Sequence, residues 1–274
     1  MNFVVFNNKL ISSTDINLTN KNRDFLYGDG FFESIKIFNQ SPFNFNNHYN
    51  RIELSAVFLG LEFSLSKQEL LIKLTELIHC NKLVNGSIRI TIFRDSDGKY
   101  YPNRNESSYI ITSLDDKNSS FQKNNRLSLG VYKENLKSKS KLSNIKSLNS
   151  LLYVLASKYA KINGFDDVLL LNSNNNIIES TNSNLFLKEN DVVYTPPLSD
   201  GCVDGSMRKL LIPIIEKKYK IIYKSLQIED LFDSDEVILS NAILAIKRVT
   251  LFKKREYNDE NLYNYLLKSI NNLI

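Results

Sequence analysis

Two side chains in the middle of this chain could do chemistry together. Lys146 lies in the stretch NIKSLN, and Glu179 follows 33 residues later in the stretch IIESTNSNLFL. A lysine fixed against the protein body can form a Schiff base with an aldehyde, and a fixed carboxylate can keep a pyridinium nitrogen protonated. Those are the two protein groups that pyridoxal phosphate needs most. Spacing alone does not establish this chemistry, because the chain has 35 Lys and Arg residues and most such side chains are solvated.

Regular elements are predicted beside both residues. Lys146 directly precedes a helical pattern that ends at Asn163-Gly164, a pair typical of a helix C-terminus. A strand over 166–171 and then a turn lead to Glu179. The apolar residues at helical spacing, which we expect to form the buried face of the helix, are Leu151, Leu152, Leu155, Tyr159 and Ile162.

The rest of the chain mixes short strands with a few helices. Strands are predicted at 3–6, 10–11, 31–38, 87–93, 109–113, 127–132, 184–187, 191–194, 221–223 and 236–239. Helices are predicted at 48–59 with Asn46 or Asn47 as the cap, after the capping box Ser66–Glu69, at 206–218 and at 258–273. This mixture predicts an α+β fold. The polar segment 115–125 is typical of a linker, so we expect two domains, at 1–114 and 126–274, joined by 115–125.

Composition excludes several classes of function. The net charge of +5 is mild, and the densest basic runs are not interleaved with aromatic residues, so nucleic-acid binding is not expected. The two cysteines, Cys80 and Cys202, lie far apart, which favours a reducing cytoplasm over a disulfide framework. With only two histidines in the chain, a metal site is not expected. No apolar run is long enough to span a bilayer, and the N-terminus is typical of a first strand rather than a signal peptide.

Seven stretches resemble, in the same order, blocks of one family. They are NRDFLYGDGFFESIKIF, HYNRIELSA, SIRITIFRDSDGKYYP, IKSLNSLLYVLA, IIESTNSNLFL, DVVYTPPLSDGCVDGSMR and DEVILSNAI. The family is the class IV aminotransferases, or fold-type IV pyridoxal phosphate enzymes. It includes branched-chain aminotransferases, D-amino acid aminotransferases and 4-amino-4-deoxychorismate lyases. The resemblance implies a two-domain fold like that of D-amino acid aminotransferase, with pyridoxal 5'-phosphate between the domains, a small-molecule substrate and a homodimer.

The resemblance also implies roles for individual residues. Lys146 matches the Schiff-base lysine, Glu179 the glutamate at the pyridine nitrogen, and Arg51 the arginine that binds the phosphate. Ser206 and Met207 open a predicted helix, whose backbone N–H groups and dipole suit an anion. The set assigned to the cofactor is therefore Arg51, Lys146, Glu179, Ser206, Met207 and Asn241. Lys146 is the catalytic residue of the set, because the amine released by substrate exchange can act as acid and base.

The substrate is expected to meet Tyr27, Phe32, Arg89, Arg94 and Ala242. Three of these positions have a plainer alternative: Phe32 could be a core residue of its strand, and either arginine could occupy a surface strand position. Tyr27 could reach the site of a neighbouring subunit, because enzymes of this family are usually dimers. His48 is expected to cap or pack rather than to catalyse.

Among the reactions of the family, the sequence favours aminodeoxychorismate lyase, a step of folate biosynthesis. DGSMR and DEVILSNAI resemble lyase blocks, whereas Met207 and Ser240-Asn241-Ala242 depart from the hydroxyl-bearing residues of many transaminases. KSLNSLL and Glu33 are transaminase-like. A branched-chain or D-amino acid transaminase that uses 2-oxo acids is therefore the alternative. A non-catalytic relative that only binds a ligand is a third hypothesis.

Overall fold

The structure is a computed structural model that describes residues 2–124 and 126–274. The chain divides into two compact units. The first comprises the residues up to Ser120 together with Lys146–Asn149, and the second comprises Phe121–Ile145 and Ser150–Ile274. The segment that carries Lys146 thus belongs to the first unit, whereas its flanks along the chain belong to the second. The linear division into 1–114, 115–125 and 126–274 stays a prediction, and residues 1 and 125 of it lie outside the described part.

The first unit is an antiparallel sheet covered on one face by helices. Its strands are β1 (Phe3–Phe6), β2 (Lys9–Ser12), β3 (Gly30–Phe38), β4 (Ser41–Pro42), β5 (Gly86–Arg94) and β6 (Ser107–Asp115). Its helices are α1 (Arg23–Tyr27), α2 (Phe45–Leu59) and α3 (Lys67–Cys80). The strand order is β2-β1-β6-β5-β3-β4, and α2 packs on β3 while α3 packs on β1 and β6. The predicted strands and the helix predicted after the capping box are confirmed; α1 and β4 were not predicted.

Alternation along the central strands gives this sheet two different faces. Alternate residues such as Phe31, Ile35 and Ile90 are completely buried. The intervening positions are more open: Phe32 and Ser34 on β3 are half-buried, and Arg89 on β5 is exposed. Ser34 lies opposite Arg89 in the register, so these side chains share one face of the sheet. The predicted period of two therefore yields a core face and a face that a small molecule can approach.

The helices of the first unit begin where local chemistry dictates, with one exception. Ser66 and Glu69 form the predicted capping box of α3, and its buried stripe comprises Leu70, Leu74, Leu77 and Ile78. The start predicted for α2 is wrong, because α2 begins at Phe45, after Asn44 in the left-handed region. Asn46 and Asn47 thus lie inside the first turn rather than at the cap.

The second unit contains two sheets. Its strands are β7 (Ser128–Lys137), β8 (Asp167–Asn172), β9 (Ile177–Ser180), β10 (Asn184–Glu189), β11 (Val192–Thr195), β12 (Lys220–Tyr223), β13 (Glu236–Asn241), β14 (Ala245–Arg248), β15 (Leu251–Phe252) and β16 (Arg255–Glu256). Its helices are α4 (Leu151–Ile162), α5 (Ser206–Ile215), α6 (Ile228–Asp233) and α7 (Asn261–Asn271). The sheet orders are β12-β11-β10-β13-β14 and β16-β15-β7-β8-β9. The mixture of helices and sheets predicted as an α+β fold is thereby confirmed.

Strand β8 is buried on both faces, which explains its unbroken apolar run. Leu169 and Leu171 join a core cluster with β9, β10 and β13, whereas Val168 and Leu170 pack under α4. The buried face predicted for α4 is confirmed for Leu152 and Tyr159 and wrong for Leu151, Leu155 and Ile162. Leu151 and Ile162 are 69% and 71% exposed, and Leu155 is exposed as well, because the close contact is made by two small residues, Ala156 and Ala160, with Leu152, Tyr153 and Tyr159 beside them. Among the described residues, every helix is too short or too polar to traverse a bilayer.

Candidate active site

Lys146 is attached to the edge of the first unit's sheet. Its carbonyl accepts a hydrogen bond from the N–H of Phe32 at 3.0 Å, and the N–H of Leu148 donates to the carbonyl of Gly30 at 3.0 Å. A Cβ on Gly30 would lie 2.3 Å from the carbonyl oxygen of Ile92 and 3.0 Å from Leu148, so glycine is required where this segment meets the sheet. The lysine is thus held by backbone pairing rather than by the helix that follows it.

The Lys146 amine lies on the open face of that sheet. Its Nζ is 3.4 Å from Ser34 Oγ and 4.5 Å from the centre of the Phe32 ring. The guanidinium of Arg89 stacks on the same ring, with its central carbon 3.7 Å from the ring centre. Burial, and then the neighbouring positive charge of Arg51, lower the pKa of Lys146 from 10.5 to about 8. A substantial fraction of the amine is therefore neutral near pH 8 and able to act as a nucleophile or base.

A buried ion cluster fixes Arg51. Both oxygens of Glu33 accept hydrogen bonds from this arginine, Oε1 from Nε at 2.5 Å and Oε2 from Nη2 at 2.8 Å. Oε2 also contacts His48 Nδ1 at 2.7 Å. Burial alone would raise the pKa of Glu33, but Arg51 and His48 bring it well below its ordinary value. Burial lowers the pKa of His48 despite Glu33, so a neutral ring donates to the carboxylate. His48 packs as predicted, but it is not a helix cap.

The two predicted arginines have different environments. Arg89 is exposed on the open face, next to Lys146 and Phe32. Arg94 is 7% exposed, and its guanidinium donates to Asp29, to Asn105 and to the carbonyls of two residues at the end of α2, Leu59 and Gly60. These hydrogen bonds are those of a clamp between β5 and α2. The structure therefore favours a stabilising role for Arg94, in place of the substrate role predicted for it.

Tyr27 ends α1, and Gly28 caps the helix with a φ of +62°, a conformation that favours glycine. The ring of Tyr27 is tilted against that of Tyr100, with 5.6 Å between ring centres. The guanidinium of Arg23 lies 5.0 Å from the centre of the Tyr27 ring. Arg23 also donates to the carbonyls of Gly98 and Lys99, so the aromatic pair is held by the same buried arginine that orders the 97–103 loop.

Glu179 lies in β9 of the second unit. Its Oε1 accepts from Lys137 Nζ at 2.6 Å and from the Tyr153 hydroxyl at 2.8 Å, and its Oε2 accepts from the N–H of Val203 at 2.8 Å. Neither Lys137 nor Tyr153 was predicted. Lys137 stands in a lysine-rich run in which nothing distinguishes it from its neighbours, whereas Tyr153 was assigned no role on the helix. The sequence pattern therefore gave no indication that Lys137 contacts Glu179.

The start of α5 is tied to two neighbouring strands. Asn184 Nδ2 donates to the carbonyl of Val203 at 2.8 Å, and its Oδ1 would lie 1.9 Å from a Cβ at position 205, so Gly205 is required before the helix. Ser206 and Met207 follow as the first helical residues, both buried. Asn184 pairs with Ser240 across β10 and β13. The predicted helix start is confirmed, although α5 ends at Ile215 rather than near residue 218.

Asn241 closes the turn between β13 and β14. Its Oδ1 accepts from the N–H groups of Ile243 at 3.0 Å and Leu244 at 2.9 Å, and its Nδ2 donates to Ser183 Oγ at 3.0 Å. Ala242 is half-buried within this turn. Ser240 Oγ is buried and has no hydrogen-bond partner in the described part of the chain. A buried hydroxyl in this condition is what a bound anion would satisfy.

The residues present fit pyridoxal phosphate. The first unit offers an amine of lowered pKa at Lys146. The second unit offers the ordered carboxylate of Glu179 and, as donors for a phosphate, the start of α5 and the unsatisfied hydroxyl of Ser240 on β13. Among residues 2–124 and 126–274, no group of three His, Cys, Asp or Glu side chains could hold a metal ion. Both cysteines are free thiols, and burial raises the pKa of Cys202 to about 12, so this thiol is not a nucleophile.

Comparison with known proteins decides the family. The family model described as amino-transferase class IV matches residues 30–252. The chain belongs to the class IV aminotransferase family. The resemblance drawn from the sequence is thereby confirmed, and with it the conclusion that the protein is an enzyme whose cofactor is pyridoxal phosphate.

Individual relatives of this class IV aminotransferase carry different names. The chain is 25% identical to a putative branched-chain-amino-acid aminotransferase of Methanocaldococcus jannaschii, over 94% of this chain and 91% of that protein. It is 26% identical to the D-alanine aminotransferase of Staphylococcus aureus strain N315, over 94% and 92%. A putative 4-amino-4-deoxychorismate lyase of Legionella pneumophila superposes with a TM-score of 0.86 at 28% identity, covering 96% of this chain and 97% of that one. The branched-chain aminotransferase of Thermoproteus uzoniensis, at 21% identity and a TM-score of 0.90 over 98% and 93%, shows the shared fold.

Proposed function

We propose that the protein is an aminodeoxychorismate lyase, which converts 4-amino-4-deoxychorismate to 4-aminobenzoate and pyruvate. The observation that carries the proposal is the turn after β13. There the side chain of Asn241 occupies the N–H groups of Ile243 and Leu244, and the turn lacks the threonines of many transaminases. Backbone donors of this turn are thus used internally rather than offered to the carboxylate of an amino acid. The 28% identity to a putative lyase of the same fold supports the same assignment.

In this proposal the chain's own residues bind and orient the cofactor. Arg51, oriented by Glu33, and the main chain of Ser206 and Met207 bind the phosphate together with Asn241. Glu179 would serve as the hydrogen-bond acceptor for the ring nitrogen, and the amine of Lys146 would bind the aldehyde. Pyridoxal phosphate, when bound, supplies an electron sink for the charge left on a carbon next to the substrate nitrogen.

Lys146 moves the proton in the proposed reaction. With a pKa of about 8, its released amine can take the proton from the ring carbon that bears the substrate nitrogen. The neighbouring carbon–oxygen bond then breaks, and enolpyruvate leaves and takes up a proton to become pyruvate. The remaining ring becomes aromatic, which supplies much of the driving force. Ser34 Oγ, 3.4 Å from Nζ, helps to hold the amine on the open face of the sheet.

The proposed substrate carries one carboxylate on its ring and a second on the enolpyruvyl side chain. Arg89 is exposed and stacked on Phe32, so it offers a fixed guanidinium to a carboxylate beside an aromatic surface. Tyr27 and Ala242 are proposed to complete the substrate contacts. A homodimer, in which Tyr27 serves a neighbouring subunit's site, and a cytoplasmic location are parts of the same proposal.

The decisive experiment uses purified protein loaded with pyridoxal phosphate. We expect pyruvate and 4-aminobenzoate in equal amounts from aminodeoxychorismate, with no 2-oxo acid added. Lys146→Ala should abolish both products and the visible absorbance of the bound cofactor. Pyruvate release that required an added 2-oxo acid would refute the lyase assignment.

The alternative is a transaminase for branched-chain or D-amino acids. It is favoured by the names of the two curated relatives and by Glu33, the residue that this chain shares with transaminases. A transaminase would convert the cofactor to its amine form with an amino acid alone and regain the aldehyde form with a 2-oxo acid. Assays with aminodeoxychorismate and with a panel of L- and D-amino acids distinguish the two reactions.

A further inference from the structure

A buried lysine is bonded to the carboxylate of Glu179. Lys137 and Glu179 are 8% and 3% exposed, and Lys137 Nζ lies 2.6 Å from Oε1. The same ammonium donates to the carbonyl of Ser143 at 2.8 Å and lies 5.4 Å from the centre of the Tyr153 ring. The lysine is therefore fixed from three directions and does not behave as a solvated surface charge.

The three donors to Glu179 are distributed unevenly over its oxygens. A carboxylate offers about four acceptor positions, two on each oxygen. Oε1 accepts from both Lys137 and Tyr153, whereas Oε2 accepts from the N–H of Val203. Burial, and then Glu179 itself, raise the pKa of Tyr153 far above its ordinary value, so its hydroxyl remains a donor. One acceptor position, on Oε2, remains for a further donor.

Stability does not explain why a lysine stands at this position. Replacing a buried ion pair by apolar side chains of similar volume is often neutral or stabilising, because the desolvation of two charges offsets their attraction. Lys137 also lies where the pairing of β7 with β8 is irregular, beyond Tyr132, and its side chain leaves the strand to reach Glu179. A role of the Lys137 ammonium in placing Glu179 accounts both for the buried charge and for its position at the irregular pairing of β7 with β8.

We infer that Lys137 is a positioning residue for Glu179: with Tyr153 it holds the carboxylate by Oε1, so that Oε2 is presented to the ring nitrogen of the cofactor. The inference rests on the proposed role of Glu179 and adds a residue to it. Lys137 touches neither cofactor nor substrate in this assignment; it acts through the carboxylate. Removing it frees the carboxylate to rotate and weakens the hydrogen bond to the ring nitrogen.

The test measures cofactor binding to the apoprotein. Two cofactors are titrated: pyridoxal phosphate, and its analogue with C–H in place of the ring nitrogen. We expect Lys137→Met to weaken binding of pyridoxal phosphate about tenfold, the size of one charge-assisted hydrogen bond, and to leave binding of the analogue within about twofold. Glu179→Gln should show the same discrimination, and the double variant should lose no more than the single ones. Lys137→Arg should restore most of the affinity.

Lys139→Met is the matched control. Lys139 is two residues away and pairs with Asp200 at 3.2 Å, so its loss should change neither affinity. If Lys137→Met does not fold, Lys137→Gln carries the same expectation, because it removes the charge and keeps a polar side chain.

The outcomes separate the inference from the proposed function. If Lys137→Met weakens both cofactors equally, or neither, while Glu179→Gln still discriminates, Lys137 is only structural and the inference fails. If Glu179→Gln does not discriminate, Glu179 does not meet the ring nitrogen, and the proposed role of Glu179 fails together with that of Lys137.

Discussion

Both carboxylate oxygens of Glu33 accept hydrogen bonds from the Nε–Nη2 edge of Arg51. The two residues are almost completely buried, so water cannot solvate either charge if its partner is removed. The orientation of the arginine that is proposed to bind phosphate is therefore determined by a glutamate behind it.

Glu33→Gln should make the protein less stable in a manner that depends on pH. The pKa of Glu33 is far below that of the unfolded chain, near 4.5, so the carboxylate contributes stability above that pH and loses the contribution as pH falls below it. We expect the variant to lose about 3–5 kcal/mol of unfolding free energy at pH 7, measured by urea denaturation of the apoprotein. The gap between variant and parent should shrink below pH 4.5. A gap that is constant from pH 7 to pH 3 would contradict this account.

Lys146→Met should stabilise the apoprotein near neutral pH. Because burial lowers the pKa of Lys146 to about 8, the charged amine opposes folding at pH values below 8. Between pH 8 and 10.5 the unfolded chain retains a proton that the folded chain has released, so the penalty disappears as pH rises. We expect the variant to melt roughly 2–6 °C above the parent at pH 7, with the difference vanishing towards pH 10. Equal melting temperatures at pH 7 would indicate an ordinary solvated lysine.

Substitutions of Arg89 and Arg94 should change different properties, substrate binding in the first case and stability in the second. Arg89→Met removes an exposed side chain, so we expect unfolding free energy within about 1 kcal/mol of the parent and a KM for aminodeoxychorismate raised about tenfold or more. Arg94→Met removes the donor from the carbonyls of Leu59 and Gly60 and from Asn105, whereas Asp29 keeps Arg23. We therefore expect a loss above about 2 kcal/mol with an unchanged KM in the folded fraction. The reverse pattern would show that the clamp and the substrate contact have been assigned to the wrong arginines.

Gly30→Ala should loosen the segment that carries the lysine. An added Cβ would lie 2.3 Å from the carbonyl oxygen of Ile92, so β3 and β5 must move apart, at a cost of about 1–3 kcal/mol. We expect a weaker affinity for pyridoxal phosphate as well, because Leu148 pairs with Gly30. Gly60→Ala is the control: its site has open space but a positive φ, so it should cost stability and leave cofactor affinity unchanged. Equal cofactor affinity in both variants would show that the Gly30 contact does not hold the lysine.

Sequence patterns predicted elements best where the cause is local. The capping box at Ser66 and the Asn163-Gly164 end of α4 depend on neighbouring residues alone, and both are present as predicted. The face of α4 was predicted only in part, with Leu152 and Tyr159, because this helix has more apolar residues than its strands can cover. Its two alanines, rather than its leucines, allow the close approach to β7 and β8.

The candidate site was accessible to sequence reasoning only in part. The motifs single out Lys146, Glu179 and Arg51 because their neighbours along the chain are characteristic. Lys137 has no such surroundings: it resembles Lys133, Lys139 and Lys141, and only the fold brings it to the carboxylate. The same holds for the choice between Arg89 and Arg94, which depends on strand register and on the carbonyls at the end of α2.

The hydrogen bond between Gly30 and Leu148 joins residues 118 positions apart in the chain. Closing so long a loop costs conformational entropy, and contacts between residues far apart in sequence slow folding. Until β3 pairs with residues 146–149, the Lys146 amine is a solvated side chain with the ordinary lysine pKa of 10.5. The lowered pKa, and with it the neutral amine, is thus a property of the folded chain and not of the residues next to Lys146 in sequence.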